Sequence, residues 1–309
     1  MAEMNPNTWW IVIVTFVSLV IATAIRVVAL YGSDSRQAGR QLGSLGAWWT
    51  VAALVILAAV AGLPVAAAMF CVVSCLAVRE FSEMVRPQRL DVDVSWLAVA
   101  VIAVTYLLVA TGGGPEVLLA APIAGSLVLG AWLFASKRLA LYTPHVSSLM
   151  YGLALTASLP AFAILILRPE GLADAWNRSS YFLILIGLTE INDIAAAIVG
   201  RRWGRNALAV ALSPHKTIEG LLGGIIVTIL FAVLAGVTCV SWGLSHSIVV
   251  GLVIAIAGTL GDLNMSAVKR CAGVKDSSNL IPGQGGVLDR IDSLTFSAPV
   301  FFLLQRWMQ

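Results

Sequence analysis

Charge is scarce in this chain. Asp, Glu, Lys and Arg make up only 11% of its 309 residues, and mean hydropathy is +0.93. Soluble globular domains carry about a quarter charged residues, so that class is excluded. Net charge is also small, at +3. That lacks the basic footprint of a nucleic-acid binder, and no nucleic-acid partner is expected. Cysteine is sparse: Cys71 and Cys75 share an apolar run, Cys239 ends another and Cys271 lies in a polar stretch. No pair has zinc-site spacing, and the first three read as small buried hydrophobes. No internal repeat is evident, so an inverted-repeat transporter is not supported. The apolar run from Trp9 lacks a basic leader and a small-residue cleavage site. It is expected to be a retained helix rather than a signal peptide.

Long apolar runs are what the chain has instead. A membrane span needs roughly 20 mostly apolar residues, and by that measure there are about ten spans. They fall near 8–30, 46–62, 64–80, 95–112, 117–136, 147–168, 180–200, 218–241, 245–265 and 291–308. The expected fold is an all-α, polytopic integral membrane protein, with a scaffold over 1–170 and a catalytic region over 171–309. Gly62-Leu63-Pro64 predicts a tight helical hairpin, and Thr111-Gly112-Gly113-Gly114-Pro115 a strong break. The segment 80–93 mixes Phe81, Met84 and Val85 with charges and reads as a short amphipathic interfacial helix. Trp9, Trp10, Trp48 and Trp49 sit at span ends, as interfacial anchors do. His145 and His246 stand alone and are assigned no role.

Lys and Arg fall almost wholly on one side of this span pattern. Of the 19, only Arg168, Arg178 and Arg306 fall on the other. Basic loops face the cytoplasm, so the N-terminus is expected outside. The composition, rich in Ala and Trp, suggests a GC-rich bacterial genome and hence the bacterial inner membrane.

One cytoplasmic stretch, residues 261–293, is unlike the rest. It carries Asp262, Asp276, Asp289 and Asp292 together with Lys269, Arg270, Lys275 and Arg290, with Gly283, Gly285 and Gly286 between them. Charges placed beside lipid are costly and mark function. Carboxylates can hold divalent cations, Lys and Arg can hold phosphates, and glycines let backbone approach a ligand. Together they point to a metal-assisted site acting on phosphates.

Two further segments join it. Glu190 and Asp193 are three residues apart inside the seventh span, so they share a helix face. They either line a polar cavity or bond neighbouring helices. The basic loop Arg201-Arg202-Trp203-Gly204-Arg205-Asn206 leads to Ser213-Pro214-His215-Lys216-Thr217-Ile218-Glu219-Gly220. There Ser213 is either a helix cap, with Pro214 at the first helical position, or a ligand contact. Lys216 and Thr217 are placed to touch phosphate.

These residues carry a resemblance. Ser266-x-x-Lys269-Arg270-x4-Lys275-Asp276-x-Ser278-x2-Ile281-Pro282-x-Gln284-Gly285-Gly286-x-x-Asp289-Arg290-x-Asp292 resembles the signature of phosphatidate cytidylyltransferases, or CDP-diacylglycerol synthases. Ser213-Pro214-x-Lys216-Thr217-x-Glu219-Gly220 resembles their second motif, and Gly261-Asp262-Leu263 their helix-end aspartate. The likeness covers roughly 190–295. One position departs: Gln284 stands where the family has His, and Gln cannot become cationic or shuttle a proton.

The resemblance implies condensation of CTP with phosphatidate to give CDP-diacylglycerol and diphosphate, with one or two Mg2+ ions. It implies Asp262 and Asp289 as first metal ligands, and Asp276 and Asp292 as second choices. Lys269, Arg270, Lys275 and Arg290 would be phosphate clamps. Ser213, Lys216, Thr217, Ser266 and Asp193 would contact substrate, and Gly283, Gln284, Gly285 and Gly286 would form a close-approach loop. Partners would be CTP, a lipid phosphate and membrane lipid, with a homodimer left open. Alternatives are another lipid-phosphate acceptor, an inactive lipid-binding paralogue, and a secondary transporter using Glu190 and Asp193.

Overall fold

A computed structural model describes residues 9–13, 16, 20, 23–24, 35–85, 95–168, 177–278, 280–281 and 285–308, without the side chains of 35–45 and 47. Most of the expected first span, the stretch 86–94, and Gly283 and Gln284 lie outside the described residues. The description is helical nearly throughout. Among the described residues six helices are long and apolar enough to cross a membrane, and the helical stretches Trp48–Ala61 and Ser95–Ala110 are shorter apolar ones.

Helices α1 (Ser35–Ala61) and α2 (Leu63–Val85) are separated only by Gly62. Its φ of +80° is open to a residue without a Cβ, which makes the expected hairpin. Helix α2 continues to Val85, so Glu80 to Val85 belong to a membrane-length helix. The expectation of a separate surface helix starting at Glu80 is corrected: apolar packing by Ala77, Val78 and Phe81 carries the helix through the charges. Helices α3 (Ser95–Ala110) and α4 (Pro115–Ala135) flank the Gly-rich break, with Pro115 in the first turn of α4.

The next span, Leu139–Leu165, is composite. Helix α5 (Tyr142–Leu153) passes through a π-turn at Ala154–Ser158 into α6 (Leu159–Leu165). Pro160 has no amide to continue the ladder, and the wider turn accommodates this. The Tyr106 hydroxyl donates to the Ala157 carbonyl at 3.2 Å and lies 2.8 Å from Ser74 Oγ, tying α2, α3 and the π-turn together.

Helix α7 (Arg178–Trp203) carries the intramembrane acids. Strands β1 (Ala207–Ala209) and β2 (Ser213–Thr217) form a short antiparallel hairpin, an addition to the expected all-α fold. Helices α8 (Ile218–Cys239) and α9 (Leu244–Cys271) follow, then the one-turn α10 (Leu288–Ile291) and α11 (Leu294–Trp307). The expected span 291–308 is therefore broken at its start.

Lipid tails are as apolar as Leu, so close packing rather than hydrophobic transfer holds such helices together. Gly220 and Gly224, four apart on α8, do this against α7. A Cβ at Gly220 would sit 2.7 Å from the Ala196 carbonyl oxygen, and one at Gly224 would sit 2.8 Å from Asn192 Oδ1. The main core includes edge-on pairs Phe70–Phe182 and Phe162–Phe302, with ring centroids 6.4 and 5.5 Å apart. A smaller cluster of Ala77, Phe81, Leu155, Met265, Leu288 and Ile291 joins α2, α9 and α10, and the polar site is built around it.

Candidate active site

On α7 the acids Glu190 and Asp193 flank the buried Asn192. Ser293 Oγ donates to Asp193 Oδ2 at 2.6 Å, and Asn192 Nδ2 reaches Asp193 Oδ1 at 3.4 Å and Thr259 Oγ1 at 3.3 Å. These bonds join α7 to α9 and to the turn before α11.

The hairpin delivers Lys216. Thr217 is β-branched and extended (φ −122°, ψ 155°), and its Oγ1 accepts the Gly220 amide at 3.1 Å. Thr217 is thus the cap of α8. The reading of Ser213 as cap and Pro214 as first helical residue is corrected: both lie in β2, four or more residues before the helix starts. Glu219 fixes the hairpin base by accepting the Arg205 amide at 3.0 Å and Asn206 Nδ2 at 2.7 Å. From this frame Lys216 Nζ pairs with Asp262 Oδ2 on α9. Arg270 Nε donates to the Leu212 carbonyl at 3.2 Å, clasping the hairpin to the end of α9.

Gly261 lets Asp262 reach this point. A Cβ there would lie 2.5 Å from the Asp292 carbonyl oxygen, so α9 meets the α10–α11 turn backbone to side. Ser266, one turn on, lies 3.4 Å from Asp262 through its hydroxyl. Asp292 is only 8% exposed and accepts the Ser293 amide at 2.8 Å. Ser293 Oγ, which donates to Asp193, also lies 3.5 Å from Asp292 Oδ1.

Lys269 turns to the other side. Its Nζ donates to Asp289 Oδ1 at 2.7 Å, while Asp289 Oδ2 takes the Ser277 amide (3.1 Å), Ser277 Oγ (3.0 Å) and the Gly286 amide (3.0 Å). Burial pushes the Asp289 carboxyl up, but Lys269 and these amides outweigh it and hold the group below the usual carboxylate range. The loop needs its glycines here. Gly285 has φ +83°, and a Cβ on it would stand 2.6 Å from Asp289 Oδ2. The Ile281 amide donates to the Gly285 carbonyl at 2.8 Å and closes the loop at its neck. Lys275, Asp276 and Arg290 are exposed beside it.

Sequence reasoning missed Glu80. This buried carboxylate at the end of α2 accepts Ser278 Oγ (2.6 Å) and the Val287 amide (3.0 Å) on Oε1, and Ser277 Oγ (3.0 Å) and the Leu288 amide (2.9 Å) on Oε2. A Cβ on Gly286 would fall on Glu80 and Ser277, so Gly286 is kept small by the same contact. The signal available in sequence was an acid near the end of an otherwise apolar helix.

Two hydrogen-bonded groups result: Ser293 links Asp193 with Asp292, and Ser277 links the Lys269–Asp289 pair with Glu80. Asp262 pairs with Lys216, whereas both oxygens of Asp289 are engaged by donors. Among the described residues no three His, Cys, Asp or Glu side chains form a ready metal cage. Mg2+ is normally held by one or two carboxylates, with substrate phosphates and water completing its shell. Asp262, about a quarter exposed, carries hard carboxylate oxygens of the kind such a shell uses.

The cytidylyltransferase family profile matches residues 44–308. An uncharacterized protein, YnbB, of Escherichia coli is 34% identical over 94% of this chain and 96% of its own length. The phosphatidate cytidylyltransferase of Aquifex aeolicus is 40% identical over 40% of this chain and 46% of its own, and that of Synechocystis is 33% identical over 59% and 68%. With the family profile covering most of the chain, the chain belongs to the cytidylyltransferase family.

Proposed function

We propose that the chain condenses CTP with phosphatidate at the cytoplasmic face of a bacterial inner membrane, releasing diphosphate. The bond formed joins a lipid phosphate oxygen to the α-phosphorus of CTP. The bond broken frees diphosphate, which leaves with the electron pair. A lipid phosphate is already anionic near neutral pH, so the barrier is bringing two polyanions together and stabilising the leaving group. Lys216, Lys269, Lys275, Arg270 and Arg290 supply positive charge, and Ser213, Ser266 and Thr217 supply hydroxyls. Mg2+ held by Asp262 would neutralise the diphosphate.

The observation that carries this reading is the Lys216–Asp262 pair. It joins the two family motifs, and its side chains remain 25% and 28% exposed. A pair this open is worth little by itself, about 0–1 kcal/mol, and yields readily to a phosphate on one side and a cation on the other. The reading also keeps ten spans with the N-terminus outside, because the basic residues then lie with the site. Purified protein given CTP, Mg2+ and phosphatidate is expected to form CDP-diacylglycerol and equimolar diphosphate. Absence of both products, with other lipid phosphates also tried, rejects the reading.

One observation favours a second acceptor. The relative that matches end to end has no stated substrate, while the Aquifex enzyme matches less than half of the chain. With Gln284 in place of His, the same chemistry on a different lipid phosphate fits these facts. Offering phosphatidate and other lipid phosphates in competition separates the two readings by which CDP-lipid accumulates.

A further inference from the structure

We propose that Glu80 is a positioning residue for cytidylyl transfer, tying Ser277 and Ser278 to Val287 and Leu288 so that Asp289 stays aimed at Lys269. The proposal rests on the functional reading above. Its physical basis is a count of donors. Glu80 is 5% exposed and meets two backbone amides and two hydroxyls across a sequence separation near 200 residues. The hydroxyls can rotate, but the amides cannot. The Val287 amide points at Oε1 and the Leu288 amide at Oε2. Only a side chain with an acceptor at both positions satisfies them, and a carboxylate has that form.

The effect passes on through Ser277. Its Oγ lies 3.0 Å from Glu80 Oε2 and 3.0 Å from Asp289 Oδ2, and its amide serves Asp289 at 3.1 Å. A hydroxyl has one proton, so it donates to one carboxylate at a time. The Glu80 grip on Val287 and Leu288 sets the helical turn that carries Asp289 and Arg290. Gly286, pressed against Glu80 and Ser277, admits no side chain to fill the gap if the acid is lost. Phe81, the next residue on α2, packs in the same small cluster as Leu288 and Ile291, so the helix end and the loop are held as one body. Asp289 is thus aligned from an element some 200 residues earlier in the chain.

Glu80→Gln is the sharpest test, because it keeps size and shape. Whichever way the amide turns, its NH2 faces one of the two backbone amides and that bond is lost. The expected result is a fall in kcat of about 100-fold, the scale of a slight misplacement of reacting groups, with KM for CTP nearly unchanged. Hydrogen exchange at Val287 and Leu288 should speed up more than at amides elsewhere in the fold. Glu80→Asp keeps two acceptors and should recover part of kcat. Should Glu80→Gln fail to fold, Ser277→Ala/Ser278→Ala removes the two hydroxyl links and should lower kcat in the same direction by less. Wild-type kcat and wild-type exchange in the Gln variant, or wild-type kcat in the double variant, overturns the proposal. Loss of activity that only tracks a smaller folded fraction overturns it too. If the wild-type protein turns over no lipid phosphate, the functional reading fails, while the exchange comparison still decides whether Glu80 holds the loop.

Discussion

Two lysine–aspartate pairs draw one partner each from α9 and are built for different tasks. Lys216–Asp262 keeps a quarter of each side chain exposed (25% and 28%), and the further partner of Asp262 is Ser266 at 3.4 Å. Lys269–Asp289 is exposed by only 12% and 9%, and Asp289 accepts three more hydrogen bonds from Ser277 and Gly286. The first pair links two separately folded segments and can be opened by a ligand. The second is a strut that shapes the glycine loop. Identical residue types thus divide into a working pair and a supporting pair, and burial and hydrogen-bond count tell them apart.

The largest effect that sharpens this contrast is expected from Asp262→Asn. Turnover should fall about 10²–10³-fold, as when a charge-stabilising group is removed from an active site. Stability should change little, since a pair a quarter open to solvent contributes little by itself. A melting temperature lowered as much as in Asp289→Asn would erase the distinction between the pairs. Asp289→Asn should cost activity and also about 3 kcal/mol of stability, because Lys269 is left buried without its partner. Urea or thermal unfolding of the two variants side by side reads this directly. Gly285→Ala should cost about 1–2 kcal/mol from the left-handed backbone alone and should also displace Asp289. Full activity in that variant would show that the loop is not held as described.

The smallest effect is in pH. The Asp289 carboxyl is held below its ordinary range in the folded protein, so its contribution is fully present above the unfolded value of about 3.9. It is lost as pH falls through the lower folded value. Acid destabilisation of the wild type on that limb should therefore be steeper than that of Asp289→Asn. Parallel acid limbs would contradict the bonding given for this group.

The helical plan was legible because apolar runs of span length leave few other outcomes in lipid. The tight turn at Gly62 and the break before Pro115 followed from local backbone chemistry. Ser213-Pro214 misled because the same residues suit a helix start and a strand: Thr217, four residues later, supplies the cap, and Glu219 holds the hairpin. Glu80 could not be found by spacing, since its partners lie some 200 residues away and the one local signal, an acid near the end of an apolar helix, does not say what it meets. The motifs named Asp262 and Asp289 together, but a linear pattern cannot say which lysine each meets. Lys216 comes from the hairpin and Lys269 from the helix bearing Asp262, and only the fold assigns them.

The most direct test of the account measures CDP-lipid and diphosphate formed from CTP and phosphatidate by wild type and Asp262→Asn, each normalised to folded protein. The account predicts equimolar products from the wild type and almost none from the variant. Equal turnover by both, or none by the wild type with any lipid phosphate, would contradict it.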